Sequence, residues 1–503
     1  MRSHSLYPSV VLAVVVTMAG CSRSGSTSDA DCRRPDLPAA EVADLAVTEL
    51  LDPVWAASYS EATFSSPKTA DLNGDGVLDV VQGFGQDTSG ARTSSVIATD
   101  GATGEELWRS GGHEDLIGSA TFAQLGGDAT IDVVIGGRRG ALHAIDGRNG
   151  SVLWSFDDQN GRWFNFYTNQ VVPDQNDDGI VDLAAANGGL VFDEPREQAP
   201  GQDEPRTVGH LFMISGSDGS VIASTPVPDR RESYMSSLVV ESAEGERSML
   251  VGSGGETLPG SLWRVPLASV LAESTEGAEQ LASGGGKGII ATPSLAQLTD
   301  DCIADIVVQA FDGTITAIDG ATDSQLWAVQ NPGFETYSTP TLGYFVGDDD
   351  IADVFAGVAR GVWPEYIESD YLVIDGATGD VTWRETLGTF APSGFVAVDL
   401  NEDGRDEVIF AANDEAGNSQ QLYVLDPTRN ELHTLVTLGQ TTFSSPWIGD
   451  IDGDGLLDLI TTESAYQASG PATVRRHSLD FTTPERVSWG GYLGTETDGR
   501  LDR

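Results

Sequence analysis

One unit, repeated about every 54 residues along most of the chain, constrains the fold more than any other feature. Each copy runs from a small or aromatic residue into Ser-Pro or its equivalent, then through a short apolar run, an Asp-rich loop, a second apolar run and a variable connection. A third run ends in Asp-Gly-x-Thr-Gly, and a fourth often ends in Trp. The copies begin near Phe64, Ile117, Thr168, Tyr234, Ile289, Tyr337, Phe390 and Phe443. The second runs are clearest, as in Asp79-Val80-Val81 and Asp305-Ile306-Val307-Val308; the fourth copy, with only Ser248-Met249-Leu250-Val251, is the weakest. Asp-Gly and Thr-Gly accept the left-handed conformations of tight turns, so these short runs are expected to pair as hairpins. The repeat predicts an all-β, eight-bladed β-propeller of four-stranded antiparallel blades, with seven blades as the alternative. Pro53 to Phe64, with Trp55, is placed to supply the outer strand of the last blade and close the ring; Val487-Ser488-Trp489 competes for that place.

Four copies carry a strong form of the Asp-rich loop, in which positions one, three, five and nine offer side-chain oxygen and position seven a carbonyl. That donor set suits a hard cation of calcium size, and glycine at position six permits the sharp reversal that turns the oxygens inward. The expected ligands are Asp71, Asn73, Asp75 and Asp79 with Val77 through its carbonyl, and Asp174, Asn176, Asp178 and Asp182 with Ile180. They continue with Asp399, Asn401, Asp403 and Glu407 with Arg405, and Asp450, Asp452, Asp454 and Asp458 with Leu456. About four calcium ions are therefore expected. The second, fifth and sixth copies keep late acids, among them Asp132, Asp305 and Asp353, and lose the first ligand. These read as metal-free turns whose acids cap backbone amides.

Residues 1–20 read as a signal peptide, with Arg2, an apolar run from Val10 to Val16, and Met18-Ala19-Gly20 before Cys21. This pattern looks like a bacterial lipobox, and predicts cleavage before Cys21, lipidation of that cysteine, and attachment to the membrane through lipid alone. Ser22 after the cysteine is compatible with the outer membrane. Residues 21–38 read as a flexible tether and 39–503 as a single propeller domain. Cys32 and Cys302 are a candidate disulfide, with two separate thiols as the alternative. A formal charge of -50, from 77 acidic and 27 basic residues, excludes a basic footprint for nucleic acid. Occupied calcium loops would relieve part of that self-repulsion.

Around its calcium loops the chain resembles the FG-GAP or VCBS type of repeat, the integrin-like propellers of cell surfaces. That resemblance implies calcium in the first hairpin of some blades and roles in adhesion, carbohydrate recognition or, in some eight-bladed relatives, polysaccharide lysis. The Asp-Gly-x-Thr-Gly-x-x-x-Trp pattern at Asp100 to Trp108 and Asp375 to Trp383 is similar to the repeats of quinoprotein-like propellers. In layout the chain also resembles the lipoprotein subunit of the outer-membrane barrel-assembly machinery, which lacks the calcium loops. The tryptophans, here Trp108, Trp154, Trp327 and Trp383, read most simply as packing between blades.

In a four-stranded blade the first and third hairpins share one face, and the second connection and the link to the next blade share the other. The variable insertions therefore gather opposite the calcium loops, where a rigid scaffold carries binding groups. Trp163, Tyr167, Trp363 and Tyr366 are candidate platforms for sugar or peptide, with Arg230 and Arg231 fixing an anion; plugging of the ring by these aromatics is the structural alternative. No G-x-S-x-G, H-E-x-x-H or paired-acid motif is present, so no catalytic residue is assigned. The residues favour a noncatalytic, monomeric binding or scaffold module for a cell-surface glycan or envelope protein. A lyase-like propeller enzyme and an envelope-assembly scaffold are the alternatives.

Overall fold

The repeated units fold into eight antiparallel sheets arranged as an eight-bladed propeller. The computed structural model describes residues 45–47 and 52–501, apart from 86–93, 157–164, 191–205, 390–393, 414–419, 440–442, 465–470 and single residues 114, 128, 129, 139, 300 and 364. The described residues belong to one compact unit, Arg34–Arg503. Cys21, Cys32 and Trp163 lie outside the described residues.

Blade one shows the plan: Lys68–Ala70, Asp79–Phe84, Ser94–Thr99 and Glu106–His113 pair in sequence order from the axis outward. Its second and third strands are buried along their whole length. Neighbouring blades cover both of their faces, and for that reason they read as apolar runs instead of alternating. One core cluster accordingly joins Val81, Val96, Ala98 and Trp108 of blade one to Val133, Ile135 and Ile145 of blade two. Blade four departs from the plan, with a short helix, Leu267–Leu271, between its third and outer strands.

The ring closes through the N-terminal strand. Trp55–Tyr59 pairs antiparallel with Ala472–Thr482 of blade eight, in register from Trp55↔Arg476 to Tyr59↔Ala472. Val487–Trp489 does not take that place. Trp489 instead exchanges two backbone hydrogen bonds with Ala397, at 3.0 and 2.9 Å. From there residues 487–501 meet the inner strands of other blades: Ile448 N donates to Gly490 O at 2.8 Å and Leu295 N to Gly499 O at 2.7 Å. Lys68 Nζ donates to the Tyr492 carbonyl and to Thr497 Oγ1, and Gln170 Nε2 donates to Thr497 O. Inner strands have an edge with no strand partner, and this segment supplies partners for part of it.

Two further devices join blades. The tryptophan of an outer strand docks on the next blade's third hairpin: the indoles of Trp55, Trp108, Trp154 and Trp327 donate to Gly101, Gly147, Gly216 and Gly376 carbonyls at 2.7–2.8 Å. The rings cover Gly104, Gly150, Gly219 and Gly379, where a Cβ would come within 2.4–2.8 Å of indole carbons. Around the axis, the Ser-Pro-like segments form a chain of hydroxyl bonds. The amides of Ser66, Ser119 and Thr168 donate to Ser119 Oγ, Thr168 Oγ1 and Ser236 Oγ. Thr292, Ser294 and Thr341 hydroxyls donate to the carbonyls of Ser236, Pro340 and Phe395. The amides of Gly394 and Ser445 then donate to Ser445 Oγ and Ser66 Oγ, which completes the circle.

Candidate metal loops and axial cup

Each strong Asp-rich loop is organised by its own side chains accepting its own amides. Asp71 accepts from Gly74 N at 2.7 Å and Gly76 N at 3.1 Å, Asn73 from Asp75 N at 2.9 Å, and Asp75 from Val77 N at 2.8 Å. Asp174, Asn176 and Asp178 repeat the pattern toward Gly179, Asp178 and Ile180, and Asp399, Asn401 and Asp403 toward Gly404, Asp403 and Arg405. Position four takes a left-handed conformation in all four loops, at Gly74, Asp177, Glu402 and Gly453, and position six does so at a glycine. The result is a concave set of carboxylates and amide oxygens of the kind that receives a hard cation.

The ninth residue is buried, and in blades one and three it clasps two hairpins. Asp79 Oδ2 accepts from Leu72 and Asn73 amides, and its Oδ1 accepts from Gly101 N of the third hairpin. Asp182 repeats this between Gln175 and Gly216. The copies that lack the first ligand use the same clasp: Asp132 joins Leu125 and Gly126 to Gly147, Asp305 joins Leu298 and Thr299 to Gly320, and Asp353 joins Phe345 and Val346 to Gly376. The expectation that their acids cap amides therefore matches the bonding seen.

The third loop is the most enclosed. Asp403, Glu407 and Asp426 are all buried and lie within mutual reach of one ion. Burial, with Asp426, Asp399 and Asp403 alongside, pushes the Glu407 carboxyl up to about 10. Asp426 Oδ2 has no hydrogen-bond partner among the described residues. A divalent cation would let these acids ionise together, so this donor set fits calcium. Asp426 comes from the third-strand turn, outside the nine-residue motif, and the spacing of the loop alone gives no sign of it. The same turn position in blade one is Asp100, whose carboxylate accepts from Asn73 Nδ2 at 3.3 Å. Cys302 occupies position six of the fifth copy with φ 69° and is disulfide-bonded.

On the opposite face the ring opens into an axial cup of about 150 Å³. Its wall takes residues from seven blades, including the aromatics Phe64, Tyr167, Tyr337 and Phe443, and Tyr492 of the C-terminal segment also lines it. Phe64 and Phe443 pack with ring centres 4.9 Å apart. Beside the cup Tyr337 packs edge-on to Trp363 at 5.9 Å, and Trp363 lies 5.9 Å from Tyr366. Carboxylates hold this cluster in place. Tyr337 OH donates to Glu256 and Tyr366 OH to Glu335, both at 2.7 Å, while buried Glu335 also accepts from Trp363 N and pairs with Lys287. Burial, followed by the Glu256 charge, pushes the Tyr337 phenol upward, and burial with Glu335 does the same to Tyr366.

Of the sequence-predicted binding residues, Tyr167 lines the cup, and Trp363 and Tyr366 stand beside it, joined through Tyr337. Arg231 is tied to the Pro259 carbonyl of blade four, and Arg230 is exposed with φ 59°. Neither arginine lines the cup. Tyr492 and Tyr337 were not among the predicted binding residues. Tyr492 lies just beyond the Val487-Ser488-Trp489 strand candidate, and Tyr337 was placed at the start of a repeat and in an inter-blade link without a binding role.

The description of FAM234A/B β-propellers matches residues 55–398, and that of an FG-GAP-like repeat matches residues 399–461, which contain the third and fourth strong loops. No curated protein matches the sequence. Among solved structures, the quinohemoprotein alcohol dehydrogenase of Comamonas testosteroni is similar over 88% of this chain and 78% of that chain, at 12% identity and a TM-score of 0.56. Sqt1 of Saccharomyces cerevisiae is similar over 86% and 100%, at 12% identity and a TM-score of 0.53. BamB of Moraxella catarrhalis covers 85% and 97%, at 12% identity and a TM-score of 0.47. Likeness at these identities is one of fold.

Proposed function

The chain belongs to the FAM234A/B β-propeller family, and from that premise we propose that it is a calcium-stabilised, lipid-anchored binding module of the cell envelope, with its ligand seated in the axial cup. The ligand class is a cell-surface glycan or an envelope protein. The observation that carries this reading is the cup itself: aromatic side chains brought together from separate blades, on the face opposite the Asp-rich loops. Aromatic faces give sugars and apolar side chains a rigid surface at little conformational cost, and the blades fix them before the ligand arrives. The deeper axis is crossed by residues 487–501, so the cup has Tyr492 against it where an open propeller has a channel. Glu256 and Glu335 hold Tyr337, Tyr366 and Lys287, which supports a positioning role for these acids and a noncatalytic site.

The test is retention of the mature protein on arrays of envelope glycans and purified envelope proteins, compared with Tyr167→Ala and Tyr337→Ala. A ligand of the cup is expected to lose at least about tenfold in affinity in these variants, the effect of about 1.4 kcal/mol. Equal retention by wild type and both variants would place binding elsewhere on the molecule.

A further inference from the structure

The fourth loop, Asp450 to Asp458, matches the calcium pattern as well as the other three, and its surroundings differ from theirs. In blades one, three and seven, the residue two beyond the ninth position pairs with Ala98, Met213 or Val424 of the third strand. In blade eight that partner is Arg476, opposite Ile460. The guanidinium reaches Asp458, with Nε to Oδ1 at 2.9 Å and Nη2 to Oδ2 at 3.0 Å, and also bonds Asp452, the third-position ligand. Position three breaks the common pattern as a result. Asn73, Asn176 and Asn401 each accept the amide two residues on, whereas Asp452 turns to Arg476.

The ninth residue differs from those of blades one and three as well. Asp79 and Asp182 receive an amide from the third-hairpin glycine, but the third strand of blade eight runs on to Thr482 and Arg476 takes that amide's place on Asp458. Arg476 is only 4% exposed and Asp458 1%. Its remaining nitrogen, Nη1, donates to Gly101 O at 3.1 Å, the same carbonyl that the Trp55 indole uses. Swinging the guanidinium out would therefore also lose a bond at the seam where the N-terminal strand closes the ring. Asp450, Asp452 and Asp454 lie within mutual reach of one ion, but arginine stays charged at any ordinary pH, so an incoming divalent cation would meet a fixed positive charge bonded to Asp452 and Asp458.

We infer that Arg476 is the resident cation of the fourth loop, so that the chain takes up calcium at three of its four matching loops; this rests on the calcium reading of the other three. Equilibrium dialysis of the full chain against calcium, followed by elemental analysis, reads the stoichiometry directly. Three ions are expected in wild type, three in the Asp450→Asn, Asp454→Asn double variant, and two in the Asp71→Asn, Asp75→Asn double variant. Arg476→Gln is expected to gain the fourth. Four ions in wild type, or loss of one in the Asp450→Asn, Asp454→Asn variant, would overturn the assignment, and this second arm holds even where Arg476→Gln fails to close the ring. A wild-type chain with no calcium at all would overturn the underlying metal reading instead.

Discussion

At the scale of single residues, the ninth position of the Asp-rich loop shows how one side chain serves both a candidate ligand set and the backbone. Asp353 makes the point without any metal motif: it is 2% exposed and accepts three amides, from Phe345, Val346 and Gly376, at 2.8, 2.8 and 3.0 Å. Burial pushes its carboxyl up to about 7 even against those donors. Asp353→Asn keeps the size but turns an NH2 toward an N–H, so a loss of about 2–4 kcal/mol is expected in urea unfolding, within the cost of stranding buried donors. A variant as stable as wild type would show that the clasp does not hold blade six. The loop oxygens were legible in the sequence because they stand at a fixed spacing around a glycine turn. Asp426 was not, because it reaches the third loop from another hairpin. The Ser and Thr hydroxyls that link the blades were seen only as Ser-Pro punctuation, since their partners lie one blade away.

At the scale of elements, pairing settles a choice between the two ends of the chain that composition alone leaves open, in favour of the N-terminal strand. Trp55 and Trp489 both precede or end a short apolar run, and only pairing distinguishes the outer strand of blade eight from the segment that crosses the axis. The helix Leu267–Leu271 falls in the blade whose repeat is the weakest, where no Asp-Gly turn constrains the third hairpin. Blade eight also carries a liability in its third strand. His477 is 2% exposed and neither ring nitrogen has a hydrogen-bond partner among the described residues. Burial, followed by the Arg475 charge, lowers its pKa to about 4, below the ordinary value of 6.5. A base held below its unfolded pKa penalises the fold fully below about 4 and not at all above about 6.5, so stability should fall as pH drops through that window. His477→Leu is expected to abolish that slope, worth up to about 3 kcal/mol at pH 4 by urea titration. An identical pH dependence in the variant would assign the acid lability to other groups.

At the scale of the whole molecule, the count of eight blades was readable because each unit repeats the same hairpin punctuation, and because strands buried on both faces read as short apolar runs. The cup was not readable, since it is made by residues about 50 apart in sequence that meet only when the ring closes. The proposal divides the propeller into a cation-held face and a binding face with little shared chemistry. Hydrogen exchange of the full chain, read by mass spectrometry with calcium and with chelator, tests that division most directly. Calcium should slow exchange in the first, second and third Asp-rich loops and in the neighbouring turns at Gly101, Gly216 and Asp426, while the fourth loop and the cup around Tyr167, Tyr337 and Tyr492 keep their rates. No slowing in any loop, or slowing centred on the cup, would contradict it.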